Sequence, residues 1–147
     1  MGDRQAKDAL FDAFAEVAKA LASGRRAEIV DLLAQGERSV EEVAEELGQS
    51  VANTSHHLRA LARAGLVRTR REATRIFYRL ASDDVATLWA ALRDVAAGHV
   101  AGIERLAEDY LGDRDGLEAI SRNELASRLA GGDVVVIDVR PEAEFSA

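Results

Sequence analysis

Side chains able to hydrogen-bond nucleic acid lie on one side of a helix predicted between residues 50 and 64. Asparagine, serine and histidine can hydrogen-bond the edges of bases, and arginine can bind a base or a phosphate. No acidic residue accompanies them, which is unusual for a surface that is merely solvated. That side of the helix carries Ala52, Asn53, Ser55, His56, Arg59 and Arg63, and Ser50 at the start of the helix is included among the predicted DNA contacts.

Two helices joined by a tight turn are predicted to position this set. The segment from Ser39 to Glu42 has the pattern of a capping box and begins a short helix, which Gly48 ends. Ser50 is a favourable N-cap for the second helix, which runs to about Ala64 and is closed by Gly65. So short a turn between two helices is typical of a DNA-binding helix-turn-helix. The predicted contact between the helices comprises Val40, Val43, Ala44 and Leu47 on the first and Thr54, His57, Leu58 and Leu61 on the second.

Two extended runs after the second helix predict a β-hairpin, the wing. The runs cover residues 66–71 and 75–80 and are joined around Glu72, Ala73 and Thr74. β-Branched and aromatic residues alternate there with arginines, so one face can meet the core and the other a phosphate backbone. The predicted phosphate contacts are Arg70, Arg71, Thr74 and Arg75.

The distribution of charge favours the same surface. Residues 51–80 contain seven arginines and one acidic residue, Glu72, so this segment carries a net charge of +6. Because the whole chain carries −7, the remainder carries −13. An acidic body with one basic edge would orient an encounter with DNA. The interpretation requires that these arginines lack partner acids.

The composition, with 48% hydrophobic and 31% charged residues in 147, is that of a soluble globular protein. No apolar run is long enough to span a membrane, and the N-terminus lacks a signal-peptide profile, so a cytoplasmic protein is expected. The absence of cysteine excludes disulfides, thiolate metal sites and thiol nucleophiles within this sequence.

Helical patterns flank the helix-turn-helix on both sides. Residues 4–22 and about 25–34 form two predicted helices, and Ser82 begins a third. From Val85 to Tyr110 an apolar stripe continues for about seven turns, a length on the order of 40 Å. A second copy of the chain could cover such a stripe, and the resulting homodimer would present two helices to a palindromic operator.

The segment from Leu47 to Leu80 resembles the ArsR family of bacterial transcriptional repressors. This resemblance extends over roughly residues 5 to 110 and implies a mainly α fold with a small β-hairpin wing, dimerised through the first and last long helices. Family members usually have glycine at the wing tip, where this chain has Ala73. The difference predicts another turn type or a less ordered wing. The resemblance is carried by Leu47-Gly48, Ser50, Ser55-His56-His57-Leu58, Leu61, Ala64-Gly65-Leu66-Val67 and the run from Arg71 to Tyr78-Arg79-Leu80.

Beyond residue 111 the pattern changes, so we expect a linker at residues 112–119 between the domain of residues 1–111 and a C-terminal fragment. A second capping-box pattern from Ser121 to Glu124 begins a short helix, and residues 134–139 form an apolar run typical of a buried parallel strand. Residues 120–147 are similar to the start of a rhodanese sulfurtransferase domain, through Ile137-Asp138-Val139-Arg140 and Glu144-Phe145. The family's nucleophilic cysteine would lie beyond this sequence. The tail is therefore predicted to be poorly ordered or to join a neighbouring chain as a strand, without sulfur transfer.

The histidines and the large aromatic residues allow other interpretations. His56 is a base-contacting residue or a plain surface residue, and His57 is a packed, hydrogen-bonded one. Some ArsR relatives build metal sites across paired C-terminal helices, but the acids around His99 lie five residues away on either side, so we interpret it as an interface histidine. Trp89 and Tyr110 are interpreted as packing residues. No metal or other cofactor is predicted.

Three functions compete at this point. The leading hypothesis is a homodimeric, sequence-specific transcriptional repressor that binds double-stranded DNA and is not an enzyme. The first alternative is the dimerising part of a rhodanese-type sulfurtransferase whose catalytic part is missing. The second, a protein-interaction module that has lost DNA binding, is disfavoured by the arginine cluster.

Overall fold

The computed structural model describes residues 3–112, 120–132 and 134–137. The chain divides into two units, residues 1–93 and 94–147. In chain order the elements are α1 (Arg4–Leu21), α2 (Gly24–Ala34), β1 (Arg38–Ser39), α3 (Val40–Glu46), α4 (Val51–Arg63), β2 (Val67–Glu72), β3 (Arg75–Leu80), α5 (Asp83–His99), α6 (Ile103–Leu111) and α7 (Arg122–Gly131). No helix among these described residues is long and apolar enough to cross a membrane.

The core of the first unit lies where α2, α3 and α4 meet the wing. Apolar positions at helical spacing supply it, and its members from α2, α3, α4 and β3 leave little or no surface exposed. Trp89 of α5 is partly buried against this core, as predicted, and donates a 2.6 Å hydrogen bond from Nε1 to Asp31 Oδ1 on α2. The central members are Ile29, Val30, Leu33, Val43, Leu58, Leu61 and Tyr78.

The wing is a three-stranded antiparallel sheet in the order β1-β3-β2. The predicted hairpin is confirmed, with Val67 opposite Leu80 and Glu72 opposite Arg75. The third strand was not predicted: Arg38 pairs with Tyr78, and Ser39 pairs with Phe77. A strand of two residues carries too little alternation to be recognised from sequence. Its consequence is that the residue that begins α3 is also attached to the wing.

The prediction of a single long helix from residue 85 to residue 110 is wrong. α5 ends at His99, and α6 begins at Ile103 after Gly102, which takes a left-handed conformation with φ of 85°. Glycine adopts this conformation at little cost, whereas an L side chain would be strained there. Tyr110, predicted to pack, is 88% exposed in this single chain.

The C-terminal helix is confirmed as α7, whose N-cap Ser121 accepts a hydrogen bond from the Glu124 backbone N–H at 3.2 Å. The predicted strand is not formed over residues 134–137, where Val135 is 85% and Ile137 76% exposed. Apolar side chains make a buried strand only where a sheet pairs their backbone groups. The remaining predicted strand residues, residues 141–147 and most of the predicted linker lie outside the described residues.

Candidate DNA-binding surface

The turn that leads into α3 is held by the predicted capping box. The Glu42 backbone N–H donates to Ser39 Oγ at 3.3 Å, and the Ser39 backbone N–H donates to Glu42 Oε2 at 2.6 Å. Ser39 is 1% exposed. The hydrogen bond from the Ser39 backbone lowers the pKa of the Glu42 carboxyl, an effect that nearby Arg38 and Arg75 reinforce. The start of the helix-turn-helix is therefore fixed by two hydrogen bonds between the buried Ser39 and the more exposed Glu42.

Helix α4 packs on the core through the predicted residues Thr54, Leu58 and Leu61, all 0% exposed. Its N-cap Ser50 accepts a hydrogen bond from the Asn53 backbone N–H at 3.2 Å. Gly65 follows the helix with φ of 77°, as the predicted helix end requires. Apolar burial on one side thus fixes which side of α4 meets solvent.

The outer side of α4 carries the predicted DNA-contacting residues in one array. Two side chains there bond locally: Asn53 Nδ2 donates to Gln49 Oε1 at 2.8 Å, and Arg59 Nε donates to the Ser55 carbonyl at 3.1 Å. Gln49, in the turn before the helix, was not among the predicted contacts, because a residue in a turn has no helical face to assign. Ser55 is half-buried, while the exposed members are Ala52, Asn53, His56, Arg59 and Arg63.

The adjacent histidines differ in their surroundings. His56 is exposed and its ring lies 5.9 Å from that of His57, edge to face. Burial lowers the pKa of His57, and His56, Arg26 and Arg25 lower it further. The prediction that His57 is hydrogen-bonded is wrong, because its buried Nδ1 has no partner among the described residues. The neighbouring arginines bond elsewhere, Arg25 to Glu28 and Arg26 to the carbonyls that end α1.

Four predicted wing residues lie on exposed positions of β2, β3 or the turn between them. The requirement that the arginines lack partner acids is wrong for Arg70, which lies close to Glu37 and Glu72. Glu37 precedes β1, 33 positions away in the chain, so only the fold reveals this contact. The other three exposed residues are Arg71, Thr74 and Arg75.

The turn at the wing tip does require a left-handed residue. Ala73 has φ of 52°, so the expectation of another turn type is wrong. A positive φ at the first central residue of a two-residue hairpin turn favours glycine there. The carbonyl of Ala73 accepts a 3.3 Å hydrogen bond from Arg71 Nε.

Two further wing arginines were not included among the predicted contacts. The strand register places Arg68 directly opposite Arg79, and both are exposed. Like charges in this position repel each other unless an anion lies nearby. The sequence could have indicated them, because counting strand pairs inward from the turn at residues 73 and 74 places Arg68 opposite Arg79.

Comparisons with known proteins agree with this geometry. A family model described as bacterial regulatory protein, arsR family, matches residues 23–69. The chain is 47% identical over 146 residues to the HTH-type transcriptional regulator Rv0324 of Mycobacterium tuberculosis, with 99% of this chain and 64% of that protein covered. The chain thus spans less than two thirds of the length of this relative.

Solved structures show the same fold. The first is the solution structure of the homodimeric winged helix-turn-helix DNA-binding domain of Mb0332 from Mycobacterium bovis, a possible ArsR-family transcriptional regulator. It superposes with a TM-score of 0.63 at 51% identity over 68% of this chain and 91% of that one. The transcriptional repressor BigR from Xylella fastidiosa gives a TM-score of 0.54 at 30% identity, covering 68% of this chain and 99% of that one.

Proposed function

The chain belongs to the ArsR family of bacterial regulatory proteins, and we propose that it is a homodimeric, sequence-specific repressor that binds a palindromic DNA operator. The observation that carries the proposal is the outer side of α4. It is held outward by three fully buried residues, contains no acid and ends beside the arginine-bearing wing. The repressor BigR has the same fold, which supports repression as the outcome of binding.

In this proposal α4 provides the base contacts. Asn53, Ser55, His56 and Arg59 project from the exposed side of a helix of 13 residues, and such a helix fits the major groove. Ser50 and Ala52 at the helix start and Arg63 at its end complete the contact with the adjacent backbone.

The wing provides phosphate contacts in the same proposal. Arg71, Thr74 and Arg75 surround the turn and are exposed. Their cationic and hydroxyl groups suit phosphate oxygens, which position a protein on DNA without selecting a sequence. Arg70 differs from them because two carboxylates already hold its guanidinium group.

A homodimer is supported by apolar side chains that one chain leaves uncovered. Leu10, Phe11 and Phe14 on α1 are 53% to 60% exposed, and Leu88 and Leu92 on α5 are each 43% exposed. The Mb0332 domain with the same fold is homodimeric. Sedimentation of the purified chain at several concentrations tests this step, and a monomer at micromolar concentration would contradict it.

The function is tested by selecting bound fragments from random duplex DNA and measuring affinity for the selected sequence. We expect His56→Ala to relax base preference, because it removes a base contact. Arg71→Gln should weaken all sequences alike and reduce the slope of log affinity against log salt by about 1 per protomer. Arg4→Gln, on α1 and paired with Asp8, is the matched control. Equal affinity of the wild-type chain for selected and random duplexes would reject the proposal.

We also propose that residues 112–119 form a linker and that residues 120–147 begin a rhodanese-like domain. The N-capped α7 and the exposed apolar residues 135–137 support this assignment, since a sheet from further residues would cover them. In this proposal the chain itself does not transfer sulfur. Sulfurtransferase activity of the purified chain with thiosulfate would contradict this. A longer chain with the missing catalytic residues restored, if it transferred sulfur without binding an operator, would favour the alternative of a dimerising part of an enzyme.

A further inference from the structure

The guanidinium group of Arg70 is enclosed by two carboxylates and one aromatic ring. Nε and Nη2 donate to Glu37 Oε1 at 3.1 and 2.7 Å, and Nη1 donates to Glu72 Oε2 at 2.6 Å. The group also lies over the ring of Phe77, with Cζ 4.6 Å from the centroid. One face of the guanidinium group is therefore covered by the Phe77 ring, and each of its three nitrogens already donates a hydrogen bond to a carboxylate.

From these contacts we propose that Glu37 limits the affinity of this protein for DNA of any sequence, by competing with phosphate for Arg70. The proposal rests on the DNA-binding function proposed above. It assigns Glu37 as a positioning residue that acts through Arg70, and the ligand withheld from Arg70 is a backbone phosphate.

The local charge supports this role. Arg70 with its two carboxylates carries a net charge of −1, in a segment that is otherwise strongly basic. A phosphate approaching this point meets repulsion, and it must displace a carboxylate to reach the same N–H donors. Because Arg70 and its two carboxylates together repel a phosphate, Arg70 contributes no phosphate contact while Glu37 is in place.

Glu37 is the firmer of the two partners. Its side chain is 29% exposed, whereas that of Glu72 is 65% exposed. Water and salt weaken an exposed pair more than a covered one. Glu37 also comes from the segment before β1, so it fixes Arg70 relative to α3, while Glu72 belongs to the same strand as Arg70.

A purely structural role of the Glu37–Arg70 contact and the proposed role predict opposite changes in DNA affinity when Glu37 is replaced. If the contact only held the wing in place, removing either partner would loosen the wing and weaken binding. If Glu37 withholds Arg70 from phosphate, Glu37→Gln strengthens binding, because glutamine keeps the shape of the side chain and releases the guanidinium group.

The experiment compares Glu37→Gln with Glu41→Gln, which removes the same charge from an exposed position on α3. Affinities for the selected operator and for a random duplex are measured by fluorescence anisotropy between 0.05 and 0.3 M salt, values chosen to span about the range in which phosphate contacts dominate. Circular dichroism verifies that each variant is folded. We expect Glu37→Gln to bind both duplexes about eightfold more tightly per added contact at 0.1 M salt, with the salt slope steeper by about 0.9 per contact.

The double variant Glu37→Gln/Arg70→Gln keeps the wild-type net charge and separates the two residues. Its affinity and salt slope should equal those of the wild-type protein, because neither protein makes a phosphate contact through residue 70. The proposal is overturned if Glu37→Gln changes binding no more than Glu41→Gln does, or if the double variant loses slope as Arg71→Gln does. The random-duplex measurements remain decisive even if no operator is selected, so failure of the proposed repressor function is distinguishable from failure of this one.

Discussion

In α4, three side chains facing the core are fully buried, whereas each long wing strand has one buried residue, Val67 in β2 and Tyr78 in β3. The position of α4 is therefore set by close packing, which salt does not weaken. The wing is held mainly by strand pairing, and the contacts of Arg70 with Glu37 and Glu72 lie on its surface. Ion pairs of this kind are screened by salt.

The difference matters for the proposed DNA-binding surface, because it combines a helix fixed by packing with a wing that has fewer buried residues. Base contacts need a geometry fixed to fractions of an ångström, and a packed helix supplies it. In the proposed complex, the phosphate contacts of the wing tolerate more variation in position than base contacts do. The effects of mutations in the two regions on stability should differ in size and in their dependence on salt and pH.

The largest effect is expected from Leu58→Ala in α4. The side chain is 0% exposed, and its truncation leaves a cavity that should lower the free energy of unfolding by about 2–5 kcal/mol. Urea unfolding at fixed protein concentration measures the change. Val51→Ala at the start of the same helix, where the side chain is 47% exposed, should stay within about 0.5 kcal/mol. Similar losses for both variants would contradict packing as the force that positions α4.

Ser39→Ala tests the point at which α3 and the wing are joined. Loss of the side-chain hydrogen bond at the buried Ser39 should lower the free energy of unfolding by about 1–2 kcal/mol. Ser50→Ala is the matched comparison, because Ser50 caps α4 from an exposed position through one hydrogen bond. It should cost less than Ser39→Ala, and the reverse order would show that burial of the cap adds nothing.

Ala73→Gly should stabilise the wing. Glycine relieves the left-handed strain at φ of 52°, and part of the gain is offset by the greater freedom of glycine in the unfolded chain, which leaves about 0.5–1 kcal/mol. The urea midpoint is the measurement. Thr74→Gly next to it, where φ is not positive, should be destabilising, and a gain at both positions would refute the strain argument.

The smallest effect concerns pH. Because the pKa of Glu42 is lower in the folded chain than its ordinary value of 4.5, its contribution to stability is present above that value and is lost as the pH falls through the folded pKa. Glu42→Gln should therefore show a smaller loss of stability on acidification than the wild-type chain. Glu41→Gln, beside it on α3, is the control. Identical acid dependence for Glu42→Gln and wild type would remove the capping carboxylate as a source of pH sensitivity.

Much of this arrangement was predictable from local pattern. Ser39 with Glu42 and Ser50 with Gly65 mark helix boundaries through contacts within a few residues. The buried set of Thr54, Leu58 and Leu61 follows from helical spacing alone, and the wing hairpin follows from two alternating runs around a short turn. Which residues of the resulting surface contact DNA stays a prediction.

Long-range contacts were beyond the sequence. The two-residue strand β1 has no pattern of its own, and it exists because β3 offers it an edge. The break between α5 and α6 was missed, because apolar spacing continued through Gly102 and concealed its left-handed backbone.

The amino-acid sequence by itself determined the helix-turn-helix, its caps and the acid-free side of α4, since each depends on neighbours within one or two helical turns. The tertiary structure decided which charges remain available on that surface. Arg70 and Glu37 are 33 positions apart and meet only because β1 joins the wing. Counting charges along the chain could not reveal this, because an ion pair depends on distance in space and not on distance in sequence.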